Sequence, residues 1–443
     1  MNARVFALVL AAACAPTVVA CTGGAVDDVD LGSLVVKLWT PEGDDYLDDA
    51  AEIAVTTLVD GEGDVRTFAS KDDVSLEAIE AAPDGSTVSV VVETDGSSLP
   101  DARARTDDVV LSPDGGAQET TALFAARDVA RRFSSALPDA RDDPAVCARD
   151  DGTLLVTGGA RAGALVAGSV VFDPRARALA PGPALSLPAA GAACVILDDD
   201  RVLLIGGADE TGAGNATLYV APSVRETTAF AESAVVLATG KRGFGAAMAV
   251  HGDDLWLLYD DVVERRSVAD LTDLNRGTLP NAHLFGSLAV DDAVAIVVGG
   301  FTDVARTSPS DSASLVSSSG GVAALASLAG AHVASRGGQI FALTDDAVTR
   351  LVGPDYVLSG GTRVRSLDAS TRSRARGAFL ALGADRAAFL DDAGAALTLV
   401  SSSAARDVAL PTAHVGGALL RGLSGGVFVV GAAAGSEVVL VDE

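Results

Sequence analysis

Three of the four histidines in this 443-residue chain sit in the same dipeptide, Ala282-His283, Ala331-His332 and Ala413-His414. Imidazoles that recur at equivalent places could converge on a transition metal. No carboxylate accompanies them at a ligand-like spacing, and a repeated histidine also serves to satisfy buried backbone groups. His283, His332 and His414 are therefore weak metal candidates, and no metal or other cofactor is expected. Cys147 and Cys194 each precede an Asp-rich turn, Asp150-Asp-Gly152 and Asp198-Asp-Asp200. Strands carrying them side by side could bring the sulfurs within bonding reach in an oxidising compartment, and the alternative is two buried thiols filling small gaps. Asp60-Gly-Glu-Gly-Asp64 alternates acids as calcium loops do but lacks the later bidentate Glu, so it reads as a hairpin turn. The Asp-Asp pairs starting at Asp198, Asp253, Asp291, Asp345 and Asp391 recur periodically instead of converging once, so they read as turns and not as acid–base dyads. No phosphate loop or Cys-x-x-Cys site is present. No catalytic residues are expected.

These residues are positioned by a unit that returns seven times from about Val146 onward, at a period near 45 residues. Each unit is an apolar strand, an Asp- or Gly-rich turn, and a second strand that often ends on Gly-Gly. The second strands begin near Leu154, Val202, Leu255, Val294, Ile340, Ala387 and Val427. A unit of this kind cannot bury both faces alone, so copies must stack around a shared core. Leu315-Val-Ser-Ser-Ser319 ahead of Ala331-His332 is echoed by Leu399-Val-Ser-Ser-Ser403 ahead of Ala413-His414. These are expected to be corresponding outer strands and loops two units apart. The last unit ends at Val438-Val-Leu-Val441 without an outer strand, and residues near 120 to 135 are expected to pair with it and remove the open edge.

Upstream, strand-like runs cover Ser33–Trp39, Glu52–Leu58, Val74–Ile79, Ser86–Glu93 and Asp108–Leu111, separated by Pro-, Asp- and Gly-rich turns. They look like the immunoglobulin-like or prealbumin-like β-sandwich modules of bacterial surface lipoproteins, a match of pattern and not of motif. The expected organisation is thus all-β: a signal segment 1–20, a tether 21–30, a sandwich 31–119 and a propeller 120–443 with seven blades, six to eight being allowed.

The Gly158-Gly159, Gly206-Gly207 and Gly299-Gly300 doublets, each closing an apolar second strand, resemble the kelch family of β-propellers. A polar third strand such as Ser169-Val-Val-Phe-Asp173 or Thr217-Leu-Tyr219 follows, as in a kelch unit. Later units depart from the pattern: Tyr259-Asp-Asp261, Thr344-Asp-Asp346 and Leu390-Asp-Asp392 stand where Gly-Gly is expected, and the outer Trp is missing. Some kelch propellers are copper radical oxidases, which need a tyrosine crosslinked to cysteine plus two histidines. Tyr46, Tyr219, Tyr259 and Tyr356 have no such setting here.

At the start, Arg4 precedes an apolar run from Val5 to Ala20, interrupted by Pro16 and too short for a membrane span. Val18-Val19-Ala20-Cys21 resembles the lipobox of bacterial lipoproteins, which implies that Cys21 is lipidated and becomes the mature N-terminus. An ordinary secretory signal cut near Ala20 is the alternative. The expected location is the cell envelope, anchored by lipid to the outer membrane and facing the periplasm or the surface.

A formal net charge of −28 repels phosphate backbones and excludes nucleic-acid binding. The expected function is non-enzymatic binding or scaffolding of an envelope protein or glycan through loops such as Ala208–Asn215 and Phe301–Asp311. The alternative is a polysaccharide hydrolase or lyase, which would need two or more inward-facing acids and an Arg converging in one pocket.

Overall fold

In the computed structural model, the described residues are 7–9, 33–41, 46–48, 50–69, 86–96, 101–106, 108–111, 117–132, 141–149, 151–173, 178–186, 189–208, 214, 216–367, 377–383, 385–431 and 436–441. Among them there are strands and short 3-10 turns but no α-helix. The expected strand at Val74–Ile79 lies outside these residues, as do Cys21 and its tether.

From Ala145 onward the alternating apolar runs form seven four-stranded antiparallel sheets, I to VII, six of them in simple sequence order. Their second strands begin at Leu154, Val202, Asp254, Val294, Gln339, Arg386 and Gly426, within one residue of each sequence expectation. These second strands are buried along almost their whole length because each is covered on both faces by neighbouring sheets. The first strands are Ala145–Ala148, Ala190–Ile196, Ala247–His251, Ser287–Val290, His332–Arg336, Phe379–Gly383 and Ala418–Gly422. Each touches the first strand of the next sheet, and that of sheet VII touches that of sheet I. The cores between sheets mix small aliphatic side chains with larger aromatic ones, as between V and VI, where Ala381 and Ala387 pack with Phe341, Val348 and Phe389.

Sheet VII takes its outer strand from upstream: Ala130–Arg132 pairs antiparallel with Glu437–Val439. Among the described residues of the segment from 120 to 135, this strand and an isolated bridge from Arg127 to Leu440 reach sheet VII. Ala117–Leu123 instead runs parallel to Ser33–Trp39, and Ala125–Ala126 joins the sheet of Glu62–Phe68, Ala50–Val59, Thr87–Gly96 and Ala102–Arg105. The chain therefore passes from the N-terminal sheets to sheet VII between Ala126 and Ala130, and not at 120. Alternation decides this: Ala122, Phe124 and Ala126 point into the N-terminal core, which a strand displaced to sheet VII would leave open.

The two N-terminal sheets share one core, Leu34, Val36 and Leu38 meeting Ile53, Val55, Val88, Val90 and Val92. Asp60-Gly61 alone makes the hairpin turn of the acidic run, with φ of 49° and 86°, and Glu62 already opens the next strand. That strand, Glu62–Phe68, was not legible as one because it is exposed and polar. Ala7–Val9 lies antiparallel to Val35–Lys37. Trp39, against Phe172 at 5.1 Å and Phe428 at 6.4 Å between ring centres, ties the N-terminal sheets to sheets I and VII.

At Gly158 and Gly206 the Gly-Gly doublets permit close approach to the next sheet. Gly206 has φ of +72°, and a Cβ there would lie 2.0 Å from the Gly243 carbonyl oxygen. Gly206→Ala is expected to lower stability by about 2 kcal/mol through the left-handed backbone alone, with the collision added. A denaturant midpoint equal to wild type would contradict this close approach. In sheet III, where Tyr259-Asp-Asp261 replaces the doublet, Asp260 itself takes φ of 52° and its carboxylate receives the Arg242 backbone N–H at 3.1 Å. Burial works to raise the Asp260 pKa, but the Arg242 guanidinium and backbone hold it below the usual carboxylate range.

Candidate functional site

The first strands of all seven sheets line one cavity of about 730 Å³, from Val146 in sheet I to Leu420 in sheet VII. Its wall is mostly small and aliphatic, as the Ala- and Val-rich composition dictates. Its charged groups gather at the end where the first strands enter and the second strands leave: Arg141, Asp142, Asp143 and Arg306.

A belt of main-chain hydrogen bonds builds this rim. Gly191 N–H donates to Asp143 O at 2.8 Å, Gly245 N–H to Gly191 O at 2.7 Å, and Phe285 N–H to Gly245 O at 2.7 Å. The four residues stand at the entries of successive first strands, Gly191 as the second residue of its own, and all have positive φ: 50°, 69°, 71° and 60°. Glycine adopts this conformation freely, whereas a β-carbon costs about 1–2 kcal/mol there. Asp143 and Phe285 thus adopt it against their backbone preference, as strained residues at binding sites often do.

Above the belt stands the loop from Phe301 to Ser310, between the second and third strands of sheet IV. Asp303 braces it, accepting the backbone N–H groups of Thr307 at 3.1 Å and Ser308 at 2.6 Å. The Thr307 bond, with help from Ser308, holds the Asp303 carboxyl below its usual range. The brace presents Arg306, at φ of 58°, across the opening to sheet I, where its guanidinium forms an ion pair with Asp143. The same guanidinium lies 3.9 Å from the Phe285 ring centre and 5.5 Å from that of Phe244. The two rings meet edge to face at 4.9 Å.

Two acids and two arginines do therefore gather at one mouth, and three of the four, Arg141, Asp143 and Arg306, have engaged side chains. Arg141 is buried and donates to the Gly158 and Gly168 carbonyls at 3.1 and 2.6 Å. Asp143 is held by Arg306. Asp142 adjoins Asp143 on one strand entry, so the two carboxylates do not face each other across a substrate. Of the two loops expected to bind, Phe301–Asp311 is at the mouth, while most of Ala208–Asn215 lies outside the described residues.

The three histidines go to three separate places. His283 is buried, its Nδ1–H donating to Gly299 O at 2.7 Å and its Nε2 facing Ser312 Oγ at 3.2 Å. His332 Nδ1 meets Ser287 Oγ at 3.3 Å on the cavity wall. His414 Nε2 contacts Glu437 inside sheet VII, both fully buried. Among the described residues no group of three or more His, Cys, Asp or Glu could hold a metal ion. Burial lowers the His283 pKa, and burial with the Arg132 charge lowers that of His414 to about 4. The unfolded chain takes up protons on both below about pH 6.5 while the folded chain does not, so stability present above that pH falls as the medium is acidified. Denaturant midpoints are expected to drop from pH 7 to 5, less steeply in His283→Gln. An unchanged slope in that variant would mean that His283 is protonated in the folded state.

Cys147 and Cys194 are joined by a disulfide, Cα–Cα 5.6 Å, between the first strands of sheets I and II. The Asp pairs make turns: Asp291 accepts the N–H groups of Ala293 and Val294, and Asp391 those of Ala395 and Ala396. No sequence pattern singled out Asp143, Phe244, Phe285 or Arg306. The available signal was the placing of two scarce aromatics beside glycine at strand entries, Gly243-Phe244-Gly245 and Phe285-Gly286. Among the described residues no helix is long and apolar enough to cross a membrane. Compared with known proteins, the chain matches no family model and no curated sequence.

Proposed function

We propose that this chain is a lipid-anchored envelope protein that binds a ligand at the mouth of a seven-bladed, kelch-like propeller and does no chemistry on it. Sheets I to VII are the blades, the strand at Ala130–Arg132 closes the ring, and the N-terminal sheets form a sandwich that stands between the ring and the anchor at Cys21. The observation that carries the reading is the cavity to which each of the seven sheets contributes its first strand, with the charged residues among its described lining gathered at one rim. The rim's engaged carboxylate and arginines suit recognition better than proton transfer, which needs groups free to change protonation. The Cys147–Cys194 bond supports an oxidising compartment, since disulfides do not persist in a reducing cytosol.

A screen of the full chain against envelope proteins and glycans tests the proposal. A saturable partner whose binding is lost in Val415→Trp, at an exposed position on the mouth, is expected. Release of reducing ends from a polysaccharide, abolished by Asp142→Asn, would establish the hydrolase instead. Mass spectrometry of membrane-extracted protein is expected to find a diacylglyceryl-modified Cys21 as the first residue, and an unmodified N-terminus there would remove the anchor.

A further inference from the structure

We infer that Phe244, Phe285 and Asp143 form a receptor for a guanidinium group, an arginine side chain of a partner, and that Arg306 of this chain fills it as a displaceable internal occupant. The inference rests on the reading of the cavity mouth as the ligand site.

Two ring walls at right angles with a carboxylate beside them satisfy a guanidinium in the ways its chemistry allows: the flat face over an aromatic ring and the N–H edge to an acid. The walls belong to the rigid part of the fold. Phe244 and Phe285 rest on Gly191 and Gly245, where an added Cβ would lie 2.5 and 2.6 Å from the rings. Asp143 and Phe285 are pinned by the main-chain belt. The occupant, by contrast, hangs from a loop tip whose Thr302, Val304, Ala305 and Thr307–Pro309 are exposed. Loops of this kind open more readily than strand entries held by a belt. Arg306 reaches from sheet IV to sheet I, so its departure would also uncover the aliphatic cavity below. A tethered side chain competes at an effective concentration in the millimolar range, so a partner arginine displaces it when the peptide that carries it makes further contacts at the mouth and is itself tethered there. The net charge of −28 draws cations toward the molecule and disfavours anionic ligands at the same place.

Calorimetric titration of the full chain with N-acetyl-arginine methylamide is the test, with circular dichroism to verify folding and Arg306→Gln alongside Arg306→Ala. Emptying the receptor is expected to tighten binding of this probe at least tenfold over wild type in both variants. Adding Asp143→Asn should abolish the gain, and N-acetyl-lysine methylamide should bind more weakly. Equal affinity in wild type and both Arg306 variants would overturn the inference, as would a gain that survives Asp143→Asn. A screened partner lost in Val415→Trp but indifferent to Arg306→Ala would leave the mouth as the ligand site and still overturn the guanidinium receptor.

Discussion

Glu264→Ala is expected to destabilise the protein by about 3–5 kcal/mol, the cost of removing one partner from a buried ion pair. Glu264 is fully buried in the third strand of sheet III, Val262–Ser267. Its Oε2 accepts from Arg266 Nε at 2.8 Å and Nη2 at 2.6 Å, its Oε1 from Arg276 at 2.6 Å, and the Tyr259 hydroxyl also donates to it. Arg266 reaches on to the Leu271 and Val236 carbonyls at 2.9 and 3.2 Å, and the Tyr259 oxygen accepts the Ala238 N–H at 3.0 Å. One carboxylate thus organises three strands of sheet III and the connection from sheet II. Burial, then the Glu264 bond, raises the Tyr259 pKa, so its hydroxyl remains a donor at any physiological pH. Without Glu264, the Arg266 charge, 4% exposed at its side chain, has no counter-ion in a site that water does not reach. Urea denaturation measures the effect as a lower midpoint at constant slope. Glu264→Ala/Arg266→Ala should lose much less than the sum of the single variants, and additive losses would show that the pair is not coupled.

Loss of the Cys147–Cys194 disulfide is expected to cost up to about 4 kcal/mol, the chain-entropy estimate for a loop of this size. The bond closes 47 residues that include nearly all of sheet I and its junction with sheet II. Its sulfurs lie in the core shared by those sheets, with Leu155, Val171, Val202 and Leu204. Arg225 bridges the same junction from outside, bonding Asp173 at 3.0 Å, Asp200 at 2.5 Å and Asp151 at 3.2 Å. Burial pulls the Arg225 pKa down, but the Asp200 and Asp173 bonds outweigh it and raise it, so that charge is permanent. With this clasp retained, Cys147→Ser/Cys194→Ser should still fold but melt well below the oxidised protein. Identical melting of wild type with and without reductant would mean that the bond does not form.

The architecture was readable where alternation and glycine spacing act locally. All seven second strands announced themselves by unbroken apolar runs, since a strand covered on both faces has no polar side to interrupt them. The Ser-Ser echo marks equivalent places in sheets IV and VI, but on the third strands and not the expected outer ones: Ser317 bonds Ser319 and Ser401 bonds Ser403, each at 2.9 Å between oxygens. Glu62–Phe68 escaped because an exposed edge strand needs no apolar face. The crossing near Ala126 escaped because the core that takes Ala122, Phe124 and Ala126 is built by strands far away in sequence.

The chain's own pattern determined that it is all-β, that it repeats, and where each repeat turns, because strand period and turn chemistry depend on residues a few positions apart. What stands at the mouth was decided only by the fold. Asp143, Phe244, Phe285 and Arg306 span 163 positions of sequence between the first and last of them, the separation recorded by the Arg306–Asp143 pair. Neither a cation over an aromatic ring nor a carboxylate opposite a guanidinium leaves a periodic trace. Such contacts depend on the rotation from one sheet to the next, which no short stretch of sequence encodes.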